Sequence, residues 1–544
     1  MKMRFNIYAL PLAILMIVTG MACTKLKDKP YTTIISTEFN PTKDDIAALV
    51  GAGYSQWRFV LLDWNGLWRA QEVTADQLVI PKRPWGWFDD GVYQRLHRHT
   101  WTTDDDVVNQ TWSRTYAGIT NCNRIIYQIE SGLIPVGEAK PATLAELKVL
   151  RASYYAVLCD FYGNVPLVTQ FDLPMGYLPK QNTRKEVYDF IVKEITDNIQ
   201  LLSSANDVST YGKYNKWAAF TLLAKMYLNA GVYTGTPEWA KCISACDSVI
   251  RSNAYILEAA QKNVFITENQ NSKEIVLAIP MDEDYTNNWN AFDLHMQTLQ
   301  QENQATYNLK NTPWGGICAI PQFISTFDPA DARYQRNWIK GQQYTSSGQM
   351  LYVAQGDFAG KPLSFVNELP GLEKGESVHG FRLGKFEIKM GASNRLSNDF
   401  PVFRYAEVLM MKAESLLRTG KADEAAAIVT QVRQRDFLAD PAKAVVTGAQ
   451  LKAGSVYAYG MKDQVNNQFT NEGGADIEYG RFLDELGWEF DQEGHRRTDL
   501  IRFGVFTKKS WLSHAVTNNN NRILFPIPRT EIQKNGNLTQ NPGY

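Results

Sequence analysis

The feature that most constrains the fold of this chain is a set of paired segments whose apolar side chains repeat at helical spacing. In residues 214–255 the two stripes, each with spacings of 3, 4 and 3, are Trp217, Phe220, Ala224 and Tyr227, and then Trp239, Cys242, Cys246 and Val249. Side chains at these spacings share one face of a helix. Gly231 and the stretch 235–237 break the helix between the stripes. Two antiparallel helices of this length form a tetratricopeptide-like unit.

Two further pairs follow the same pattern. One runs from residue 400 to 437, with Val402 and Ala406 on its first stripe and Gly420 placed as a C-terminal cap. The other joins stripes in 147–157 and 187–202, and a further helix surrounds Trp112. Loop-rich segments at 57–111 and 256–398 separate the pairs. The sequence therefore predicts a mostly α-helical scaffold of tetratricopeptide-like pairs with long loop-rich insertions.

The N-terminus has the pattern of an export signal. Lys2 and Arg4 precede a short apolar run, and small residues stand before Cys23. The run is too short for a membrane-spanning helix, which needs roughly 20 apolar residues. A cysteine at this boundary resembles the lipidation site of bacterial lipoproteins. We therefore expect a lipoprotein signal peptide at 1–22, a lipid-anchored tether at 23–40 and a single domain at 41–544.

Charge and cysteine content exclude several classes of protein. Lys and Arg number 56 against 57 Asp and Glu, so the net charge is -1. A nucleic-acid-binding surface usually shows a strong basic excess, and this balance gives no support for a polyanionic substrate either. Five cysteines remain beyond Cys23, at irregular spacing, which is not a disulfide framework. We expect buried thiols, and no cysteine pair or Cys/His cluster suggests zinc.

Several segments together resemble the SusD/RagB family. They are 403–414 (FRYAEVLMMKAE), 486–490 (LGWEF), 493–502 (EGHRRTDLIR), 525–528 (FPIP) and 537–544 (NLTQNPGY), with Trp314-Gly315-Gly316 and Phe327-Asp328-Pro329 in mid-chain. The resemblance implies a SusD-like α-helical, glycan-binding domain, lipid-anchored to the outer membrane and facing the exterior. It also implies a protein without catalytic activity that captures oligosaccharides or starch-like polysaccharides for import through a SusC-like TonB-dependent transporter. No cofactor is expected.

The strongest candidate for ligand contact is the aromatic loop at 82–91. Trp85, Trp87 and Phe88 fall within four residues, interrupted by a glycine and without helical spacing. A sugar ring presents C–H groups that stack on flat aromatic surfaces, and hydroxyls that bond to charged or amide groups. We therefore predict ligand contacts from Trp85 and Trp87, with Arg83 and Asp89 as hydrogen-bonding partners. The alternative is that one tryptophan anchors the loop in the core.

Two later segments are weaker candidates. Asn288 and Trp289 lie in a run of amides, and Tyr307 and Trp314 precede a Gly-Gly turn. Each tryptophan could instead be a buried turn residue. Trp64 and Trp68, spaced four residues apart, favour a helical face packed in the core. The tryptophans expected to be structural are Trp101, Trp112, Trp217, Trp239 and Trp488.

Three alternatives remain open from the sequence. A glycoside hydrolase would need two carboxylates about 5–10 Å apart, and those near the aromatic loop are Glu72, Asp76, Asp89, Asp90 and 104–106. A RagB-like protein that captures peptides would have the same scaffold. His97-Arg98-His99 could bind a metal, although a structural role is favoured, and calcium held by loop carboxylates has no motif in its support.

Overall fold

The computed structural model describes residues 42–287 and 291–544. The expected signal peptide, the tether with Cys23, and the candidates Asn288 and Trp289 lie outside the described residues. The described chain is mostly helical with short strands, which confirms the predicted fold class. The helices are α1 (Lys43–Leu62), α2 (Leu67–Glu72), α3 (Val92–Arg98), α4 (Asp106–Glu130), α5 (Lys140–Phe161), α6 (Arg184–Asn198), α7 (Lys216–Leu228), α8 (Ala230–Thr234), α9 (Trp239–Arg251), α10 (Leu294–Thr298), α11 (Gln304–Tyr307), α12 (Pro321–Ile324), α13 (Ala332–Arg336), α14 (Tyr405–Arg418), α15 (Ala422–Arg433), α16 (Gly448–Leu451), α17 (Gly480–Phe490), α18 (Arg496–Arg502) and α19 (Arg529–Lys534).

The first layer of helices packs in the order α1, α4, α5, α6. Helices α1 and α4 are antiparallel: Arg114 near the start of α4 forms an ion pair with Asp63 just after α1. At the other end Val50 packs in one apolar cluster with Ile125 and Ile129. Helix α6 begins at a capping box, in which Thr183 and Glu186 each accept the other's backbone N–H. Because Val50 packs in that apolar cluster, the start of α1 lies beside the end of α4.

The second layer packs in the order α7, α9, α14, α15. Cys242, Cys246 and Val249 are buried on α9, as their spacing predicts. Gly420 follows α14 with a φ of 85°, a conformation that glycine adopts without strain, and it ends the helix as predicted. The prediction for Val402 was wrong: this residue lies on a strand before α14, because the neighbouring backbone pairs with residues 275–279.

Short strands fasten the loop-rich segments to the helices. They are β1 (Leu78–Val79), β2 (Val165–Pro166), β3 (Gln181–Asn182), β4 (Ile275–Ile279), β5 (Cys318–Ala319), β6 (Trp338–Ile339), β7 (Gly341–Gln342), β8 (Ser364–Phe365), β9 (Arg382–Leu383), β10 (Phe400–Arg404), β11 (Gly460–Asp463), β12 (Gln468–Phe469) and β13 (Trp511–Leu512). Strand β11 pairs with β12 and, in parallel, with β13, and the other ladders are antiparallel pairs. Strand β1 pairs with β5, with Val79 opposite Cys318. This pairing joins parts of the chain that are far apart in sequence.

The interior contains a large group of paired charges. Arg404 donates to carboxylate oxygens of Glu274, Glu489 and Glu493 at 2.7–2.8 Å, and its side chain is 2% exposed. Lys385, also buried, donates to Glu493 at 2.6 Å and to Asp491 at 2.8 Å. Buried charges are tolerated when they are paired and their hydrogen bonds are made. These groups hold β10 and the segment after α17 together.

The cysteines of the described chain are in the state predicted from the sequence, and its helices were compared with the requirements of a membrane span. Cys122, Cys159, Cys242, Cys246 and Cys318 are buried free thiols, as predicted. Burial raises the pKa of the Cys122 and Cys159 thiols to about 12, so both remain protonated at neutral pH. Among residues 42–287 and 291–544, no helix has the length and hydropathy required to cross a membrane.

Candidate functional site

The β1–β5 pair brings two of the predicted aromatic segments together. Because the strands are antiparallel, the residues after β1 and those before β5 leave at the same end of the ladder. The indole N–H groups of Trp85 and Trp87 both donate to the carbonyl oxygen of Trp314, at 3.1 and 2.5 Å. Three of the predicted site residues thus form one cluster, although 227 residues or more separate its two segments in sequence.

The loop that carries Trp85, residues 83–91 and here called the Trp85 loop, has an unusual backbone. Arg83 and Gly86 exchange backbone hydrogen bonds at 3.0 and 3.1 Å, which close a tight turn. Trp87, Asp89 and Asp90 then have φ values of 62°, 41° and 55°. Positive φ is rare for residues other than glycine, and for a bulky side chain it is strained. The packing around Trp87 therefore determines this conformation.

Arg83 does not take the role predicted for it. The residue is 3% exposed, and its guanidinium donates to the carbonyls of Gly316, Glu376 and His379. Because the guanidinium is buried and hydrogen-bonded to these carbonyls, it is not accessible to a ligand at the surface. We therefore remove Arg83 from the set of ligand contacts and assign it a positioning role, in which it ties the Trp85 loop to two other segments.

Trp87 is also an anchor. It is 8% exposed, and its ring stacks on Trp64 at a centroid distance of 5.3 Å. Gly316 also lies against the indole, and a Cβ atom at this position would come within 2.3 Å of the ring. The alternative that one tryptophan holds the loop in the core is thus the better description of Trp87. Trp85, Trp314 and Trp64 are partly exposed and form what we call the aromatic platform.

Trp64 is a residue that sequence reasoning missed. It lies between α1 and α2 and is not on a helical face, whereas Trp68 is buried as expected. Its ring packs against Trp314 at 5.6 Å as well as on Trp87, and the guanidinium of Arg69 lies 4.2 Å from the ring centroid. The clue available in the sequence was Gly66, which interrupts the segment between the two tryptophans.

An open cavity of about 600 Å³ borders the platform. Its walls include Trp64, Tyr93 and the carboxylates Asp89, Asp90, Asp104, Asp105 and Asp106. The Tyr93 hydroxyl donates to Asp89 and accepts the indole N–H of Trp64. Burial raises the pKa of Tyr93 to about 12, so it remains a neutral donor. Asp89 is exposed at this edge, where a ligand hydroxyl could reach it.

Tyr307 lies on the segment that leads to Trp314. It ends α11 and is partly buried, and burial raises its pKa. The next loop packs beside it, since the backbone N–H of Ser346 donates to the carbonyl of Ala305 at 2.9 Å. Of the five tryptophans expected to be structural, Trp101, Trp112 and Trp488 are buried. The other two, Trp217 and Trp239, are partly buried.

Two of the carboxylates considered for hydrolysis are buried in the protein interior. Glu72 and Asp76 are both 0% exposed, and Asp76 is ion-paired with Arg496 at 2.7 Å. Asp105 is paired with Arg95, and Asp104 with Arg529. His97 and His99 are buried in contact with His514 rather than exposed to a ligand, and burial lowers their pKa values well below the usual range.

Glu72 gives a testable pH effect. Burial raises the pKa of its carboxyl from 4.5 to about 8, although the backbone N–H of Gly494 donates to it. This group stabilises the fold fully below pH 4.5, and that contribution is lost as the pH rises towards 8. Glu72→Gln should therefore gain stability relative to the parent protein by up to roughly 1.4 kcal/mol per pH unit over this range.

The measurement is urea denaturation of both proteins at several pH values across that interval. Glu130→Gln, at a half-exposed position on the surface of α4, is the matched control and should show no such trend. If the difference in unfolding free energy between Glu72→Gln and the parent protein does not change with pH, Glu72 is not an uncharged, buried carboxyl in the folded protein.

Two sequence profiles match the chain. The profile described as "SusD family" matches residues 273–544, which is half of the chain, and the one described as "Starch-binding associating with outer membrane" matches residues 72–228. The chain belongs to the SusD family. The predicted resemblance is thereby confirmed, and the later match contains Trp314 while the earlier one contains the Trp85 loop.

Relatives within the SusD family align over most of the chain. The starch-binding protein SusD of Bacteroides thetaiotaomicron is 24% identical over 522 residues, with 88% of this chain and 86% of the relative covered. A SusD superfamily protein from Parabacteroides distasonis has a TM-score of 0.70 at 18% identity, with coverage of 93% and 100%. A laminarin-binding SusD-like protein has a TM-score of 0.67 at 19% identity, with the same coverage.

Of the segments that resemble the SusD family, 403–414, 486–490 and 493–502 lie in the helical frame, whereas Trp314-Gly315-Gly316 lies at the platform. Arg404, Glu489 and Glu493 belong to the buried charge group. Glu414 in α14 is ion-paired with Arg502 in α18 at 2.8 Å. The three segments in the frame therefore specify the packing of helices, and the ligand-contact candidates lie on the loops.

Proposed function

We propose that this chain captures neutral oligosaccharides through the aromatic platform and delivers them to a SusC-like TonB-dependent transporter. The observation that carries the proposal is the shared carbonyl of Trp314, which accepts the indole N–H groups of Trp85 and Trp87. The ring of Trp314 packs against Trp64, and Trp64 lines an open cavity. The names of relatives as starch-binding and laminarin-binding proteins support the substrate class. We assign the chain no catalytic step.

The ligand contacts in this proposal are Trp85, Trp314, Tyr307, Asp89, Asn288 and Trp289, and Trp64 is added to them. Trp85 and Trp314 offer faces for stacking, whereas Asp89 and Asn288 offer hydrogen-bonding groups to hydroxyls. Arg83 and Trp87 hold the platform in place. We further propose that Cys23 carries a lipid that retains the protein at the outer membrane, facing the exterior. The description of the profile that matches residues 72–228 supports association with the outer membrane.

The expected affinity is modest. Covering about 100 Å² of apolar sugar surface contributes at most about 2.5 kcal/mol. Association costs several kcal/mol of translational and rotational freedom. A few stacked rings and hydrogen bonds then give dissociation constants in the micromolar to millimolar range. Such weak binding suits a protein that must release its ligand to a transporter.

The test is calorimetric titration of the purified mature protein with a panel of neutral glycans of defined linkage and length. A parallel panel of oligopeptides tests the RagB-like alternative. Binding to at least one glycan is expected, in the range given above. If peptides bind and no glycan does, the proposed ligand class changes from oligosaccharides to peptides. The assignment of the family and of the fold would not be affected.

The cavity beside the platform predicts discrimination by charge. Among the residues that the structure describes, none forms an ion pair with Asp89, Asp90 or Asp106, whereas Asp105 is paired with Arg95 and Asp104 with Arg529. A uronate-containing oligosaccharide should therefore bind about tenfold or more weakly than a neutral one of equal length at low salt, because like charges repel. High salt should narrow the difference, since it screens exposed charges.

Asp90→Asn is the matched variant for this prediction. Asparagine tolerates the positive φ of 55° at this position and removes only the charge. The variant should bind the neutral glycan as the parent does and should lose part of the discrimination. Equal binding of neutral and uronate oligosaccharides by the parent protein would show that the acidic wall does not face the ligand.

A further inference from the structure

A second surface of the molecule, far from the platform, exposes large apolar side chains. Residues 171–178 form a loop between β2 and β3, here called the apolar loop. Its exposed apolar residues are Phe171, Met175, Tyr177 and Leu178. Met175 is fully exposed, at 104% of its reference area. Neighbouring exposed side chains of this size usually mark an interaction site.

The apolar loop is held in a defined position. Its tip is a turn in which Tyr177 N–H donates to the carbonyl of Pro174 at 3.1 Å, with Gly176 at a φ of 79°. Its base is the β2–β3 pair. Asn537 donates to the carbonyl of Leu178 at 3.0 Å, which ties the loop to the C-terminal segment. The apolar side chains are therefore presented in one arrangement.

The chain leading into the apolar loop follows α4 towards its C-terminal end. Tyr116 and Asn123 of α4 donate to the carbonyls of Pro166 and Val168, both at 2.9 Å. Tyr127, in the last turn of α4, then contacts Phe171 at a ring distance of 6.0 Å. The aromatic platform borders the other end of α4, because its cavity includes Asp106. A 25-residue helix is about 37 Å long.

The start of α1 lies at the same end as the apolar loop. Helix α1 is antiparallel to α4, and Val50 packs against Ile125 and Ile129 near the end of α4. The chain that precedes Lys43, including Cys23, therefore enters the described structure at this end. The 20 residues from Cys23 to Thr42 can span at most about 70 Å. A lipid on Cys23 thus tethers the molecule by the end that carries the apolar loop.

We propose that the apolar loop rests in the lipid surface that holds the anchor. This inference depends on the lipid anchoring put forward under Proposed function. Phe, Tyr, Leu and Met side chains are suited to the boundary between headgroups and acyl chains. A protein partner would need roughly 800 Å² of surface, more than four side chains supply. The loop adds the second membrane contact and directs the platform away from the lipid.

The test uses the lipidated, mature chain on phosphatidylcholine vesicles. Met175→Cys is labelled with an environment-sensitive fluorophore, and the vesicles contain a spin-labelled lipid as quencher. The native cysteines of the described chain are buried, so the new thiol is the reactive one. Phe469→Cys, at an exposed position on β12, is the matched control. Labelled at 175, the protein should shift its emission to the blue and lose about half of its fluorescence to the quencher.

Each outcome decides the proposal. Quenching at 175 but not at 469 supports it, and no quenching at 175 in a protein that floats with the vesicles overturns it. A blue shift that appears only when the transporter is added assigns the loop to a protein interface and also overturns it. A chain that does not float lacks the anchor, and the proposal fails with it. Glycan titration in solution is independent of all four results, so a failed sugar site is distinguishable.

Discussion

Replacing Arg404 by methionine is expected to cost about 3–5 kcal/mol of unfolding free energy, the range for removing one partner of a buried ion pair. Arg404 is the common partner of Glu274, Glu489 and Glu493, whose side chains are at most 1% exposed. Without its guanidinium these carboxylates lose the one cation that all three share and four charged hydrogen bonds, and they remain in a medium of low polarity with fewer positive partners. A typical domain is stable by about 5–15 kcal/mol, so the loss is a large part of the total.

Urea denaturation at neutral pH measures the effect. Arg251→Met is the matched control, because Arg251 is largely exposed and its contact with Asp247 is long, at 3.8 Å. That control should stay within about 0.5 kcal/mol of the parent protein. If Arg404→Met unfolds at the same urea concentration as Arg251→Met, the buried charge group does not stabilise the fold in the way described.

The second large effect concerns ligand binding. Trp314→Ala is expected to weaken glycan binding by about tenfold to a hundredfold, because it removes a stacking face and the ring that packs against Trp64. Trp314 contacts Trp64, and its carbonyl accepts the indole N–H groups of Trp85 and Trp87. The backbone carbonyl remains in the variant, so the loop is still held while the ring is lost.

Calorimetric titration with the best glycan of the panel measures this loss. Trp85→Ala should weaken binding in the same direction, and the double variant should bind too weakly to measure. Trp239→Ala is the control, since Trp239 starts α9 and packs beside Arg418, away from the platform. Unchanged binding in both Trp85→Ala and Trp314→Ala would remove the platform from the proposed site.

Sequence reasoning was strongest where structure depends on nearby residues. The stripe Cys242, Cys246 and Val249 and the cap at Gly420 follow from helical spacing and from the conformational freedom of glycine, and both are confirmed. Val402 was misassigned because its strand depends on pairing with β4, more than 120 residues earlier in the chain. Local periodicity contains no information about such a partner.

The candidate site shows the same limit. Glycine, proline and three aromatic residues were enough to indicate a loop at 82–91 with a role in recognition. The direction in which each side chain points depends on Trp314 and Gly316, which reach the loop only through the β1–β5 pair. For that reason Arg83 and Trp87 could not be distinguished from Trp85 before the fold was known, and Trp64 was placed in the core.

The shared carbonyl of Trp314 has one further consequence. Its oxygen has two lone pairs, and both are used by indole donors. Trp87 and Arg83 keep the two segments joined if position 85 changes, because Trp87 also packs against Gly316 and Trp64 and Arg83 donates to the Gly316 carbonyl. Residue 85 can therefore change while the rest of the loop keeps its conformation. A different side chain at this position, selected in evolution or by design, would alter the sugar specificity without changing the fold.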